Sequence, residues 1–511
     1  MPQNSGVDTK HPLYMRNLAS WQRVKDCVAG EDQIKYRGEL YLPHPVPGET
    51  RSPEQKVREA AIERYKNYKS RARFLNATGR TKTGMLGVAF SKPVEITLSG
   101  GLSELETNAD GKGQPLTQVI RNMLGEVLES GRGMLIPDFT GSGEQTAQTQ
   151  GQLLLRFFTA DQIINWRDSG DKTTLVIVKW KEDQDTGTDD FQLYERWVWL
   201  ELRMIDGVAH ARKWYEDIQS NGKYLDNAKK DGKTPLAPLR DIDGAPITEL
   251  PAFWLGAENN DSTPDPAPLA DIASLNIGHY QADANVCEIA HLASNPTLVI
   301  SGLTQAWAEK YLKYGCKVGA TTGILLNENA KAEIIQAQDT NGNTALKETR
   351  AKEMAMLGAK LIERGTGAKT ATQASFEAQT DNSILSLCAG NVEKCVNAAL
   401  RAAALMVNGK GEVGITQQYE IATVDAPVLT ALMGMVQSGT LSLHNFIRYQ
   451  QSIGLISDEK TPEQIEAEIR DQTPLPGLDL MGNQMDLVNS KTQPDNPDDD
   501  GKEPPAKGDD E

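Results

Sequence analysis

A mixed α+β fold is expected from three observations. Apolar residues recur at helical spacing near the amino end (Leu18, Trp21, Val24, Val28), and again in Leu116, Val119, Ile120, Met123, Leu124, Val127 and Leu128. Between 150 and 256 the chain turns to β-branched and aromatic residues in partial alternation, and six of the eight tryptophans fall between 166 and 254. After residue 264, long stretches of helical period return. With 511 residues and 39% apolar content, the chain can bury a large core.

Taken in order, the first helix should end at Gly30. LPHPVPG (42–48) reads as a turn-rich connection. Ser52-Pro53-Glu54 should open a polar helix that reaches about Phe74, with Ser52 as cap and Pro53 in the first turn. Arg64, Lys66, Lys69, Arg71 and Arg73 make its later part basic. That run reads first as a solvated face, and second as a contact for DNA or an acidic partner. Gly131 and Gly133 should end the helix of 115–130. LLLRFF (153–158), TTLVIVKW (173–180), FQLYERWVWLELRMI (191–205), VAHARKWY (208–215) and PAFWLG (251–256) read as strands around a heavy aromatic core.

A long helix is expected over about 269–293. Its apolar stripe is Ile272, Leu275, Ala282, Val286, Ile289 and Ala293; Asp271, Ser274, Gln281, Asn285 and Glu288 form the opposite one. Asn295-Pro296 should stop it. A short strand (297–302), a short helix (304–314) and a mixed segment (318–338) lead to a second long helix at about 344–364. RGTGAKTATQAS (364–375) interrupts it, and a third helix should run from 376 to 407. Residues 426–471 form a last helical unit. Residues 491–511 hold eight acids, three lysines and four prolines, too few apolar groups to offset ordering entropy, so disorder is expected there.

Lys and Arg number 53 against 70 Asp and Glu, for a net charge of -17. Such a chain is not expected to wrap nucleic acid by neutralising phosphates; guiding DNA without gripping it stays open. Cys27, Cys287, Cys316, Cys388 and Cys395 form no CxxC pair and read as reduced thiols. MPQNSGVDTKHP lacks the apolar core of a secretion signal, and no run approaches ~18 apolar residues, so neither secretion nor a membrane span is expected.

Gly232-Lys233-Thr234 is the only GK[ST]. Position 227 is Asn where a phosphate loop needs Gly, and Pro235 follows, so a surface turn is expected. His279, Asp283, Cys287 and His291 recur four apart on one helix flank. Without a second His or Cys segment they read as packing and hydrogen bonding, not as a metal ladder. There is no GxSxG and no HExxH, and no catalytic residue, metal or cofactor is expected.

Several stretches, in their order, resemble the portal (head-to-tail connector) proteins of tailed bacteriophages. They are HPLYMRNLASWQRVKDCVAGED (11–32), RARFLNATGRTKTGMLGVAFSKP (71–93), FTADQIINWRD (158–168), PDPAPLADIASLNIGHYQADAN (264–285) leading to PTLVISG (296–302), TATQASFEAQTDNSILSLCAGNVEKCVNAAL (370–400) and TLSLHNFIRYQQSIGLISDEKTPEQIEAEI (440–469). The likeness runs over nearly the whole chain and rests on packing patterns, not catalytic signatures.

The resemblance implies a portal fold: a wing at 1–263 with its β-rich part at 150–256, a first stem helix at 264–293, a clip at 294–343 and a second stem helix at 344–363. A tunnel loop and long wing helix would fill 364–425, a crown 426–471 and a disordered acidic tail 472–511. It implies a homo-oligomeric, dodecameric ring at the capsid vertex of the virion, assembled in the host cytoplasm, through which double-stranded viral DNA is packaged and ejected. The implied partners are the terminase large subunit, then the head-tail adaptor, with major capsid and scaffolding proteins around the outside and no membrane. In the tunnel loop, Arg364, Thr366, Lys369, Thr370, Thr372 and Gln373 would meet DNA, and Arg350, Lys352 and Lys360 form a candidate basic belt, offset by Glu348, Glu353 and Glu363. The Ala-rich third helix, at Ala403 for instance, is expected to let neighbouring subunits approach. The alternatives are another virion assembly component, such as an adaptor or minor capsid protein, and a nucleotide-binding enzyme using Gly232-Lys233-Thr234.

Overall fold

A computed structural model of the chain describes residues 6–139, 151–184, 194–216, 224–225, 236–294, 297–311, 329–335, 342–362, 371–415, 426–452, 455–456 and 460–471. Helix α1 (Pro12–Ala29) starts with proline in its first turn, capped by the His11 ring, and stops at Gly30, whose φ of 96° only glycine adopts readily. Helix α2 (Glu31–Arg37) follows directly. Helix α3 (Gln55–Arg71) is shorter than expected at both ends. Ser52 closes a preceding 3₁₀ turn and its hydroxyl accepts the Glu54 amide, so Glu54, not Ser52, sits at the cap position. Helix α4 (Ala77–Ala89) is capped by Asn76, which accepts the Gly79 N–H at 2.8 Å.

Helix α5 (Leu116–Ser130) is buried along one face and through its whole last turn, and ends at Gly131 with φ 68°. A Cβ there would stand 2.4 Å from the Asp265 carbonyl, so both backbone sign and space demand glycine.

Strand β1 (Glu95–Gly100) precedes α5. Strand β2 (Arg132–Phe139) runs antiparallel to β3 (Leu153–Thr159). A meander follows: β4 (Ile163–Ser169), β5 (Lys172–Gln184), β6 (Tyr194–Ile205) and β7 (Val208–Glu216), with the two-residue strands β8 (Tyr224–Leu225) and β9 (Ala237–Pro238) both on β7. Strand β10 (Phe253–Gly256) returns to the free side of β2. Neither β2 nor β4 was among the expected strands.

Helix α6 (Ala270–Ser294) leads to β11 (Thr297–Ser301), α7 (Gln305–Tyr311) and β12 (Lys331–Ile335); β11 and β12 pair antiparallel. Helix α8 (Gly342–Ile362) and the 37-residue α9 (Ala371–Val407) follow, and β13 (Gly409–Gly414) closes on β1.

Residues 1–419 make one compact unit with two apolar clusters. The larger joins α5, α6 and α9. The smaller holds Trp21, Trp166, Trp199 and Trp254, with Trp180, Trp197 and Trp214 packed against it. Two of the buried indole N–H groups have acceptors: Trp199 donates to Asp8 at 3.1 Å and Trp254 to Thr173 at 2.9 Å. Arg132 lies inside this cluster, 1% exposed, with its guanidinium 4.1 Å from the ring centroids of both Trp166 and Trp254. Burial pulls its pKa down to about 9 against the opposing charges of Asp261, Asp168 and Asp265.

The second unit, residues 420–511, shows α10 (Ala426–Gln437), α11 (Leu443–Ser452) and α12 (Pro462–Asp471). Thr461 and Gln464 exchange bonds as a capping box, and Phe446 and Ile447 are buried.

The Ala-rich face of α9 differs from expectation. Cys388, Ala389, Val392, Val396, Ala399 and Ala403 are wholly buried in the chain's own core, so Ala403 offers nothing to a neighbour. The side of α9 left open carries Ile384, Leu387, Lys394, Arg401 and Leu405. Small residues are used here to bring α9 against α5, β2 and β10.

Ala403→Leu overpacks a filled site and should cost the chain itself about 1–3 kcal/mol, read as a lower melting temperature; an unchanged melt contradicts the placement. Asp26 is 1% exposed and accepts Arg37 (Nε at 2.9 Å), Tyr41 (2.6 Å), Gln22 (3.0 Å) and Gln33 (2.8 Å). Burial alone would raise its carboxyl, but these donors hold it below the ordinary value. Asp26→Ala strands all four donors and should cost about 3–5 kcal/mol in denaturant unfolding at neutral pH. In the wild type that contribution should fade as pH falls below the ordinary carboxylate value, because the native state binds fewer protons.

Candidate functional site

The segment expected to carry function centres on α6, α8 and α9. Two contacts set how α6 and α8 meet. Lys347 Nζ lies 2.5 Å from Asp283 Oδ1, and the Arg350 guanidinium donates to the Gly278 carbonyl. Partners rise from 278 to 283 on α6 while they fall from 350 to 347 on α8, so the helices run antiparallel. Arg350 lies close over Gly278: a Cβ there would stand 3.1 Å from the guanidinium carbon, a tight contact. Met354 of α8 is buried one turn further on.

Asp283 is the hub of the crossing. Besides Lys347 it accepts the Arg73 amide at 2.8 Å and the Cys287 thiol at 3.7 Å. Burial alone would raise its carboxyl; Lys347 and the Arg73 amide hold it below the ordinary range. Burial, with Asp283 beside it, pushes the Cys287 thiol up, so it is a weak nucleophile. His279 is buried one turn before Asp283. The flank of His279, Asp283 and Cys287 is therefore spent on packing and hydrogen bonding, and no metal-holding group of three occurs among the described residues.

The polar stripe of α6 is also engaged. Tyr68 donates to Asn285 at 2.8 Å, Arg71 to Glu288, and Gln281 to the Tyr41 carbonyl at 2.8 Å. Arg64 lies 3.8 Å from Glu288 as well. Part of the basic run on α3 thus answers a carboxylate on α6 and is not a free solvated face. Lys66 and Arg73 of the same run stay exposed.

The candidate belt residues separate. Arg350 is half-buried against α6, whereas Lys352 is exposed on α8 between the exposed Glu348 and Glu353. Lys360 lies on the α8 backbone, its side chain outside the described residues. Arg364, Thr366, Lys369 and Thr370 fall outside them too, as do Gly232, Lys233 and Thr234. Thr372 and Gln373 are placed by backbone only, and that backbone is helical: α9 begins at Ala371, so the expected loop to Ser375 is helix over its last residues. Asn391 is a residue the sequence reading passed over. It is buried, donates to the Gly256 and Ala257 carbonyls at 3.2 and 3.3 Å, and accepts Asn260 at 2.8 Å, which ties α9 to the junction before α6. Its only sequence signal is an amide inside an apolar helical stripe.

A family model described as "Domain of unknown function (DUF4055)" matches residues 268–406, from the start of α6 to the end of α9. No curated protein matches the chain. Among solved structures, the chain is similar to one described as "Virion of native gene transfer agent (GTA) particle", at 14% identity over 74% of this chain and 89% of that one, with a TM-score of 0.36. It is also similar to "Neck of empty GTA particle computed with C6 symmetry", at 14% identity over 74% and 90%, TM-score 0.37. A third is "Neck of native GTA particle computed with C12 symmetry", at 13% identity over 78% and 90%, TM-score 0.36.

Proposed function

We propose that the chain is a portal subunit, one of a closed ring that forms the DNA channel at a capsid vertex. The observation that carries this reading is the antiparallel pair α6–α8, with the paired strands β11 and β12 between them in sequence and the long α9 after them. This order supports the reading, because the sequence resemblance implies a stem helix, a clip, a second stem helix and a long wing helix in that succession. Helices pinned side by side suit a ring subunit, which must present one straight, stiff element to each of two neighbours through heterologous contacts that close.

The channel is the working part. Duplex DNA would pass the exposed face of α8, where Lys352 stands between Glu348 and Glu353, and the segment holding Arg364, Thr366, Lys369, Thr370, Thr372 and Gln373. Alternating charge on a chain of net charge -17 favours passage over gripping, since each unopposed phosphate contact adds a salt-sensitive attraction. The segment 294–343 would dock the terminase large subunit during packaging and the head-tail adaptor afterwards. The outer body would face major capsid and scaffolding proteins. In this reading the chain makes and breaks no covalent bond, and a separate ATP-hydrolysing motor supplies the work.

Electron microscopy and native mass of the purified full-length chain test the proposal. Closed rings of about twelve copies with an opening that admits a duplex are expected. A stable monomer or dimer under all conditions, or a particle without such an opening, would overturn it.

A further inference from the structure

The α6–α8 crossing holds a titratable group that the contacts above do not use. His279 is 5% exposed, next in sequence to Gly278, where Arg350 docks, and one turn before Asp283. Its Nδ1 is buried and has no hydrogen-bond partner. A neutral imidazole tolerates this, because an unprotonated ring nitrogen leaves only an unused acceptor. An imidazolium does not, because both nitrogens become donors that need acceptors.

We propose that this crossing is an acid-released latch: a proton taken up by His279 sets a third positive charge beside Lys347 and Arg350, on a ring whose Nδ1 has no acceptor, and loosens α8 from α6.

The local charge balance favours this outcome. The charges that weigh on the ring are Lys347 and Arg350 from α8 and Asp283 from α6 itself. Asp283 is the single carboxylate of the set, and it already serves Lys347, the Arg73 amide and the Cys287 thiol. Burial comes first, then Lys347 and Arg350, in holding His279 below its ordinary pKa of 6.5, with Asp283 opposing. The sign follows. The native state binds fewer protons at this site than the unfolded chain, so stability from the neutral ring is full above 6.5 and is lost as pH falls below it.

The effect should be local, because the contacts at risk are those of α8. Arg350 and Lys347 have long, flexible side chains and can swing toward water once repelled, but in doing so they give up Gly278 and Asp283. The rest of the core, including α5, holds no part of this cluster. The residues of the latch all belong to one chain.

Hydrogen–deuterium exchange of the full-length protein between pH 7.5 and 5.5, corrected for intrinsic chemistry, tests it. Amides of 270–294 and 342–362 should exchange about tenfold faster at the acid end, while those of 116–130 stay unchanged. His279→Gln should remove that pH response. Deuterium exchange at the imidazole C2 position of wild-type His279 needs no variant and should give a midpoint below 6.5. A flat response in both helices, a response retained in His279→Gln, or a midpoint at or above 6.5 would each overturn the latch.

Discussion

The register between α6 and α8 is the constraint on which the candidate site depends. Two polar contacts mark it, the ion pair of Lys347 with Asp283 and the bond from Arg350 to the Gly278 carbonyl. Asp283 is the buried partner of that pair, so Lys347 does more than add a surface charge. Without it, a desolvated carboxylate keeps only an amide and a thiol. Arg350 acts differently: its guanidinium lies close over Gly278, where a Cβ would make a tight 3.1 Å contact, and donates to that residue's carbonyl. Two independent devices at neighbouring turns resist sliding better than either alone.

The other flank of α6 explains why the pair belongs to the body of the first unit. Tyr68, Arg71 and Gln281 bind its polar stripe to α3 and to the connection after α2. Helix α9 then meets α5, β2 and β10 through its small residues, and Asn391 fastens it to the loop that launches α6. The long helices are thus extensions of a packed core and not free rods.

Much of the fold was legible because it is locally specified. Gly30 and Gly131 end their helices where the periodicity stops, and α6 spans the expected residues to within one at each end. β-branched and aromatic runs mark β5, β6 and β7. Other parts were not legible, for physical reasons. Strand β2, RGMLIPDF, is buried on both faces and so lacks the alternation that reveals a half-buried strand. Thr and Ala before Phe376 read as loop, yet they open α9, since a helix anchored by a long apolar stripe extends beyond its best formers. The candidate site suffered most. Arg71 finds Glu288 at a sequence distance of 217 residues, and Arg350 finds Gly278 across 72; such pairings leave no local trace. The Ala-rich face carried a true signal of close approach, but periodicity does not say whether the partner is the same chain or another.

A double-mutant cycle at the crossing reaches the central claim most directly. Lys347→Ala, Asp283→Ala and the pair should be compared by denaturant unfolding at neutral pH. If these side chains pin the two helices, the double variant should be less destabilised than the sum of the singles, with a coupling of about 1 kcal/mol or more. Simple additivity of the two substitutions would contradict the register on which the candidate channel rests.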